Sequence, residues 1–206
     1  MALIGDLVGS RRARDRQGVH DRLQAALTLT NDRVAATHPL AIPAGDEFQG
    51  VYPTLGAALE AAFRLRLGLG PQIGVRFGIG RGAIETLDPV RGIQDGPAYW
   101  SARAAIESAA ERAGRARTHT ARTAYASTED DPATVAAVGA ALDCLDFVVG
   151  SLSETSHEIL GGLMDGTTQQ AIATQLGLSP SAVSQRIRRD GIAVALEAMT
   201  ALTELP

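Results

Sequence analysis

The chain has 206 residues, of which 45% are hydrophobic and 20% charged, a composition typical of a folded globular protein. All 19 basic residues are arginine, which excludes any mechanism that needs a lysine, and the single cysteine, Cys144, excludes an intrachain disulfide and a cysteine-rich zinc site. We find no uninterrupted run of the roughly 20 apolar residues that cross a bilayer, and no basic segment before an apolar run at residues 1–6. We therefore expect a cytoplasmic protein without a membrane partner.

The formal net charge of −4 is unevenly distributed. From residue 132 onward three arginines face eight acidic residues, which gives −5 there and leaves +1 for residues 1–131. The three arginines, Arg186, Arg188 and Arg189, fall within four residues of one another. An acidic segment argues against nucleic-acid binding, whereas a local arginine cluster favours it, because phosphate contact depends on where the charges stand.

The elements predicted for the first 131 residues alternate between strands and helices. In chain order they are a strand at 2–8, a helix at 15–36, hairpin strands at 40–44 and 48–52, a helix from 53, a strand at 72–84 and a helix at 96–113. This order predicts an α+β fold with an antiparallel sheet. The acidic segment 127–132, closed by proline, predicts a boundary, and nearly everything after it has a helical pattern.

Two aspartates stand beside glycines in this first part. Asp6 lies in the segment GDLVGS at the end of the opening strand, and Asp46 lies in the segment AGDEF of the hairpin. Two carboxylates at one edge of a sheet could hold Mg²⁺, and free backbone N–H groups could hold the phosphates that Mg²⁺ bridges. We predict a metal site at Asp6 and Asp46, with Glu47 as a solvated turn residue. A purely structural pair of turn residues is the alternative.

These motifs, in this order, resemble the class III nucleotide cyclases and the diguanylate cyclases. The similarity covers about residues 2–125 and continues through the segments VRFGIGRG at 75–82 and DGPAYWSAR at 95–103. It implies a ferredoxin-like antiparallel sheet with helices on one face. It also implies a nucleotide site, for which the matching residues are Gly9, Ser10, Arg11 and Arg103.

The chain departs from the cyclases at two chemically important positions. The lysine with which cyclases read the base is absent, and Tyr99 stands where they have an asparagine four residues before the arginine, here Arg103. We therefore expect nucleotide binding rather than turnover. Trp100, next to Tyr99, is predicted to lie in the core.

The whole chain also resembles the SatD family of bacterial proteins. The shared segments are GDLVGSR at 5–11, GDEFQG at 45–50 and DGPAY at 95–99. This resemblance implies membership of the family but says little about the mechanism of the protein.

Residues 167–190, TTQQAIATQLGLSPSAVSQRIRRD, predict two helices joined by a tight turn. Gly177 supplies the conformation that ends the first helix, at 168–176, and Ser179 with Pro180 begins the second. The pattern resembles the helix-turn-helix of sigma-factor region 4 and of the LuxR-type regulators, which implies that the second helix enters the major groove of double-stranded DNA. The residues expected to contact DNA are Ser179, Ser181, Ser184, Gln185, Arg186, Arg188 and Arg189.

We divide the chain into a cyclase-like domain at 1–131, a connecting helix at 132–150 and a helix-turn-helix domain at 151–206. The favoured interpretation is a transcriptional regulator that binds DNA and whose first domain binds a nucleotide with Mg²⁺. Two alternatives stay open: a metal-dependent nucleotidyl cyclase or nucleotidyltransferase, and a helical adaptor for a protein partner. We expect a homodimer, because helix-turn-helix proteins usually read paired half-sites, and the last helix is one candidate contact.

Overall fold

The computed structural model describes residues 1–9, 15–88 and 93–206, within which lie seven strands and eight α-helices. The strands are β1 (Ala2–Leu7), β2 (His38–Ala44), β3 (Glu47–Val51), β4 (Val75–Arg81), β5 (Glu85–Asp88), β6 (Ile93–Asp95) and β7 (Thr123–Ser127). The helices are α1 (Arg16–Arg33), α2 (Leu55–Leu69), α3 (Pro97–Ala113), α4 (Pro132–Ser151), α5 (Glu154–Met164), α6 (Gln169–Leu176), α7 (Pro180–Arg189) and α8 (Ile192–Thr203).

Five of the strands form one sheet in the order β2-β3-β1-β4-β7. The central strand β1 is antiparallel to β3 and β4, and β2 is antiparallel to β3. β7 runs parallel to β4, with Tyr125 opposite Ile79. The α+β class is confirmed, but the antiparallel prediction is wrong at this edge. The reason is that α3 forms a crossover between β4 and β7, and such a connection makes its strands parallel.

Helices cover both faces of the sheet. Leu3 of β1 belongs to the core that contains residues of α1 and α2, whereas its neighbour Ile4 packs with Ala98 and Ala102 of α3 on the opposite face. The prediction that the helices lie on one face is therefore wrong.

Two glycines of β4 explain how α3 comes so close to the sheet. A Cβ on Gly78 would lie 2.1 Å from the carbonyl oxygen of Ala102, and a Cβ on Gly80 would lie 2.2 Å from that of Ala98. In the sequence these glycines alternate with apolar residues, which is typical of a strand with one solvated face. In the fold, however, these glycines form the surface of β4 on which α3 packs.

The C-terminal helices share the main hydrophobic core with the sheet. α5 and α8 pack against α2, and α4 packs against β7 and α8. The backbone N–H groups of Leu55 and Gly56, in the first turn of α2, donate to the carbonyls of Pro206 and Leu205 at 3.3 and 3.0 Å. One core thus joins the two parts of the chain, and the proposed domain boundaries stay a prediction.

α4 is the longest described helix, and by length and composition alone it could cross a membrane. Asp143 and Asp146 interrupt its apolar run in the sequence. In the fold one side of the helix is buried, through residues that include Val138, Leu145 and Asp146. A single helix of this length and composition is weak evidence for a membrane, because core helices of other proteins pass the same test.

Candidate functional site

Local sequence signals define the turn between α6 and α7. Gly177 has a φ of 65°, the left-handed conformation, and its N–H closes the last turn of α6. The Ser179 hydroxyl accepts a hydrogen bond from the Ala182 N–H at 3.2 Å, and Pro180 is the first helical residue. α7 then buries Val183 and Ile187. The two helices predicted here are therefore present in the fold.

α7 has a polar face that lies open in the described part of the chain. The helix packs against α5, α6 and α8. Of the residues expected to contact DNA, five are exposed and two are half-buried. The exposed ones are Ser179, Ser181, Gln185, Arg188 and Arg189, and the half-buried ones are Ser184 and Arg186.

The three arginines of α7 differ in their partners. Arg189 is held by Asp190, whose carboxylate oxygens lie 2.6 Å from its Nε and 3.1 Å from its Nη2. This hydrogen bonding raises the pKa of Arg189 and lowers the pKa of Asp190. Arg186 and Arg188 form no ion pair with any residue that the structure describes. The unpaired positive charge of α7 is therefore carried by Arg186 and Arg188.

Some acidic residues of the C-terminal part form ion pairs with arginines of the N-terminal part. Three of its eight acidic residues pair with arginines that precede residue 132. The pairs are Asp143 with Arg112, Asp146 with Arg66, and Asp165 with both Arg33 and Arg64. The net charge of this segment therefore understates how well α7 can attract phosphate, because these carboxylates are already neutralised.

The Asp6 carboxylate at the end of β1 lies beside a guanidinium of the adjacent strand. Asp6 is opposite Arg76 of β4 in the sheet register. Arg76 donates from Nε to one carboxylate oxygen at 2.8 Å and from Nη2 to the other at 2.7 Å. This bidentate pairing raises the pKa of the Arg76 guanidinium. Both oxygens of the predicted metal ligand thus already have a partner.

Glu47 forms a second bidentate pair on the other side of Asp6. It stands opposite Asp6 in the register of β1 and β3. Both of its oxygens accept hydrogen bonds at 2.7 Å from Arg103 of α3. The prediction that Glu47 is a solvated turn residue is wrong, because α3 crosses this face of the sheet. Arg103, predicted to bind a phosphate, is in this structure the partner of Glu47.

The predicted Mg²⁺ ligands, Asp6 and Asp46, both take part in interactions within the fold. Among the described residues no group of three or more His, Cys, Asp and Glu side chains could hold a metal ion. Asp46 is half-buried and already takes part in an interaction. A cation at Asp6 would share the carboxylate with Arg76, which uses one lone pair of each oxygen. The pairing was not evident in the sequence, because it depends on the register of β4.

Of the residues predicted to bind a nucleotide, Gly9 lies two residues after β1 with a φ of 75°, and no atom of the described residues lies within 4 Å of the position of an added Cβ. Ser10 and Arg11 lie outside the described residues.

A cavity of about 640 Å³ lies beside Asp46, between the hairpin and the first turns of α1. Its lining includes Arg16 and His20, which sequence reasoning did not place in a site. Ligand pockets commonly have volumes of about 300–1,000 Å³, and this cavity falls within that range.

Trp100 is 64% exposed, and the prediction that it lies in the core is wrong. Its indole N–H donates to the Asp95 carboxylate at 2.9 Å. The residue belongs to the solvent side of α3, whose sheet side includes Ala98, Ala102 and Ile106.

These features define an α+β protein with a mixed five-stranded sheet, onto which a helical C-terminal third carrying a polar, arginine-bearing helix is packed. The family model described as SatD family matches residues 1–205, and the chain belongs to the SatD family. A comparison with curated proteins finds no match.

Proposed function

We propose that this SatD-family protein is a DNA-binding transcriptional regulator in which α6 and α7 form a helix-turn-helix and α7 enters the major groove. The observation that carries the proposal is the open face of α7. There Gln185 is exposed beside Arg186 and Arg188, neither of which is ion-paired within the described residues.

The residues along α7 suit different contacts. Ser181 is short and lies near the start of the helix, where it lets the backbone approach the groove. Gln185 can pair bidentately with the edge of an adenine, and an arginine can pair with a guanine. Arginines at the end of the helix can also hold phosphates, which position the protein without reading sequence.

DNA selection from a random duplex library, followed by gel-shift measurement, tests this proposal. We expect the wild type to retain a selected DNA and the double variant Gln185→Ala/Arg186→Ala to lose it. Arg115→Ala is the matched control, because Arg115 is an exposed arginine outside α7. Equal retention by all three proteins contradicts the proposal. A wild type that binds no DNA but captures a protein partner supports the adaptor alternative.

We also propose that the N-terminal half binds a nucleotide in the cavity beside Asp46. The order β4-β1-β3-β2, with α1 and α2 as the connections, matches the ferredoxin-like βαββαβ unit and supports the likeness to the cyclases. Arg16 and His20 supply donors for an anionic ligand. Mg²⁺ stays in this proposal as a companion of the nucleotide, and its requirement is tested separately.

Calorimetric titration with a panel of nucleoside phosphates, with and without Mg²⁺, tests nucleotide binding. We expect heat from the wild type and a loss of heat from Asp46→Ala. Asp32→Ala, which removes an exposed carboxylate of α1, is the control. Absence of heat from the wild type with every nucleotide contradicts the proposal. Incubation with nucleoside triphosphates and Mn²⁺, read by mass spectrometry, would reveal the enzymatic alternative if a product forms.

We propose a homodimer through the exposed side of α4. Phe147 is 60% exposed there, and Cys144 lies one turn before it. The last helix, α8, is less suited to this role, because Ile192 and Met199 are buried within the chain. Asp143, the acidic residue beside Cys144, is paired with Arg112, so this helix face can meet a second copy of itself with little repulsion between like charges.

A further inference from the structure

A cavity of about 140 Å³ lies where the ends of α2 and α4 meet the starts of β4 and β7. Its lining includes the guanidiniums of Arg66 and Arg122 and the imidazole of His157. None of the described residues that line it is acidic. Burial and the nearby Arg66 lower the pKa of His157 to about 4, so the imidazole is neutral at pH 7. The charged side chains of this cavity are therefore both positive.

The guanidinium of Arg122 has no carboxylate partner among the residues that the structure describes. Its Nη1 donates to the backbone carbonyl oxygens of His119 and Ala121, at 3.0 and 2.6 Å. Its Nε and Nη2 groups donate to no atom of the described residues. The side chain is half-buried. A partly desolvated charge without a counter-ion is unfavourable, and a bound anion relieves this cost.

Arg66 brings a second positive charge to the same cavity. Its Nη1 is paired with Asp146, and its Nη2 lies 4.0 Å from the position of a Cβ added to Gly150, another lining residue. Burial, Arg66 and the more weakly acting Arg76 lower the pKa of Arg122, although Asp146 opposes them. Two guanidiniums thus share one carboxylate, which leaves a surplus of one positive charge.

The helix ends beside the cavity oppose an anion only in part. A helix C-terminus carries roughly half a negative charge, whose effect is confined to the last turn. In α2 and α4 the carbonyls of Leu67 and Val149 already accept from the N–H of the residue that follows each helix. The whole charge of Arg122, at the cavity wall, therefore outweighs these partial and capped dipoles.

From these observations we infer that the cavity binds one phosphate or sulfate group, held by the guanidiniums of Arg122 and Arg66. Arginine presents parallel N–H donors that match the oxygens of such an anion. A cavity of about 150 Å³ holds benzene, so one of about 140 Å³ accommodates a phosphate ion, which has fewer heavy atoms. The cavity shares no lining residue with the one beside Asp46, and the inference is independent of the proposed DNA and nucleotide binding.

Titration of the full chain with inorganic phosphate, sulfate and glycerol 3-phosphate, followed by two-dimensional NMR at constant ionic strength, tests the site. We expect saturable shifts of the amide signal of Gly74, which lines the cavity. Tighter binding of the inorganic anions identifies a free ion as the ligand, and tighter binding of glycerol 3-phosphate identifies a phosphate group on a larger molecule. Absence of a saturable shift with all three overturns the inference.

The variant Arg122→Gln removes the guanidinium without a counter-ion but keeps the backbone N–H that donates to Asp146. We expect it to weaken phosphate binding by at least about tenfold, the value of one hydrogen bond to a charged group. Arg115→Gln removes an exposed arginine outside the cavity and should leave the affinity almost unchanged. Equal weakening by the two variants would mean attraction by net charge alone, which overturns the site.

The variant Gly150→Leu fills the cavity while both arginines stay in place. A Cβ at this position meets the nearest atom at 3.4 Å, an ordinary contact, so the helix accepts a side chain there. We expect this variant to lose phosphate binding. Gly139→Leu, on the same helix and with no described atom within 4 Å of its Cβ, should keep it. Binding that survives Gly150→Leu overturns the inference, whether or not Arg122→Gln folds.

Discussion

Asp146 is the carboxylate that ties α4 to the sheet. It is 2% exposed, and it accepts hydrogen bonds from the Arg66 guanidinium and from the backbone N–H groups of Arg122 and Thr123. An isolated buried charge is unfavourable, and this one is stable because each of its oxygens has donors. A single side chain thus joins α2, α4 and β7.

We expect Asp146→Ala to lower the free energy of unfolding by about 3–5 kcal/mol, because it leaves Arg66 without its partner and orphans two backbone N–H groups. Chemical denaturation measures the change. Glu111→Ala is the control, since Glu111 forms only an exposed pair with Arg115 and such pairs contribute little. Similar losses from the two variants would show that the Asp146 network is unimportant.

His157 should give the protein an acid-sensitive stability. Its pKa is about 4 in the fold, against an ordinary value of 6.5 that applies to the unfolded chain. Between these values the unfolded chain binds the additional proton, so the free energy of unfolding falls as the pH falls from about 6.5 to 4, by up to about 1.4 kcal/mol per pH unit. Denaturation of the wild type and His157→Phe across this range measures it. The difference in free energy of unfolding between wild type and His157→Phe should change as the pH falls through this range. A difference that stays constant with pH would contradict the burial of a neutral imidazole.

At the scale of elements, the sequence of α7 gives the helix a buried apolar face and an exposed polar face. Val183 and Ile187 hold it in the bundle, whereas Gln185 and Arg188 face outward. Its start depends on the Ser179 cap and on the left-handed Gly177 before it. Surface substitutions on the polar face should therefore change binding without changing the fold.

We expect Arg188→Ala to weaken DNA binding by on the order of tenfold and to reduce the slope of log affinity against log salt by about one, because one phosphate contact is lost. Arg189→Ala should have a smaller effect, since Asp190 already neutralises Arg189. Measurement of DNA affinity over a range of salt concentrations compares the two variants. Equal effects would mean that Asp190 releases Arg189 on binding DNA.

The contact between β4 and α3 should tolerate no added atom. Gly78→Ala places a Cβ 2.1 Å from the Ala102 carbonyl oxygen, so α3 must shift. We expect a loss of at least about 1–3 kcal/mol in the free energy of unfolding, as in overpacked cores. Gly139→Ala, where no atom lies within 4 Å, should instead stabilise α4 by up to about 1 kcal/mol. A tolerated Gly78→Ala would show that α3 packs less closely than this.

At the scale of the whole molecule, the sheet and the C-terminal helices behave as one packed body. α8 and α5 rest on α2, and ion pairs such as Arg64 with Asp165 cross the same contact. The contacts of α2 with α5 and of α5 with α7 connect the N-terminal half physically to α7.

The exposed side of α4 provides a test of assembly at this scale. We expect the wild type to sediment as a dimer and Phe147→Glu to sediment as a monomer, because a charge cannot be buried in an apolar contact without a partner. Val194→Glu, on the 69% exposed Val194 of α8, should remain dimeric. Analytical ultracentrifugation over a range of concentrations decides the matter. A monomeric wild type, or a dimeric Phe147→Glu, contradicts the α4 interface.

The sequence by itself determined what depends on near neighbours along the chain. The α6–α7 turn follows from Gly177, Ser179 and Pro180, and β1 to β4 with α1 to α3 follow from periodicity and turn residues, because caps, turns and amphipathic patterns act within a few residues. The short strands β5, β6 and β7 were not predicted. The sequence also identified the family, because the short segments at 5–11, 45–50 and 95–99 resemble those of the SatD family.

Only the tertiary structure decided which distant groups meet. It paired Asp6 with Arg76 and Glu47 with Arg103, placed α3 on the second face of the sheet, and buried His157 of α5. These outcomes depend on strand register and on helix packing over long sequence separations. Local sequence patterns carry no information about these contacts, since a glycine, arginine or histidine with the same neighbours along the chain can be either solvated or buried in the fold.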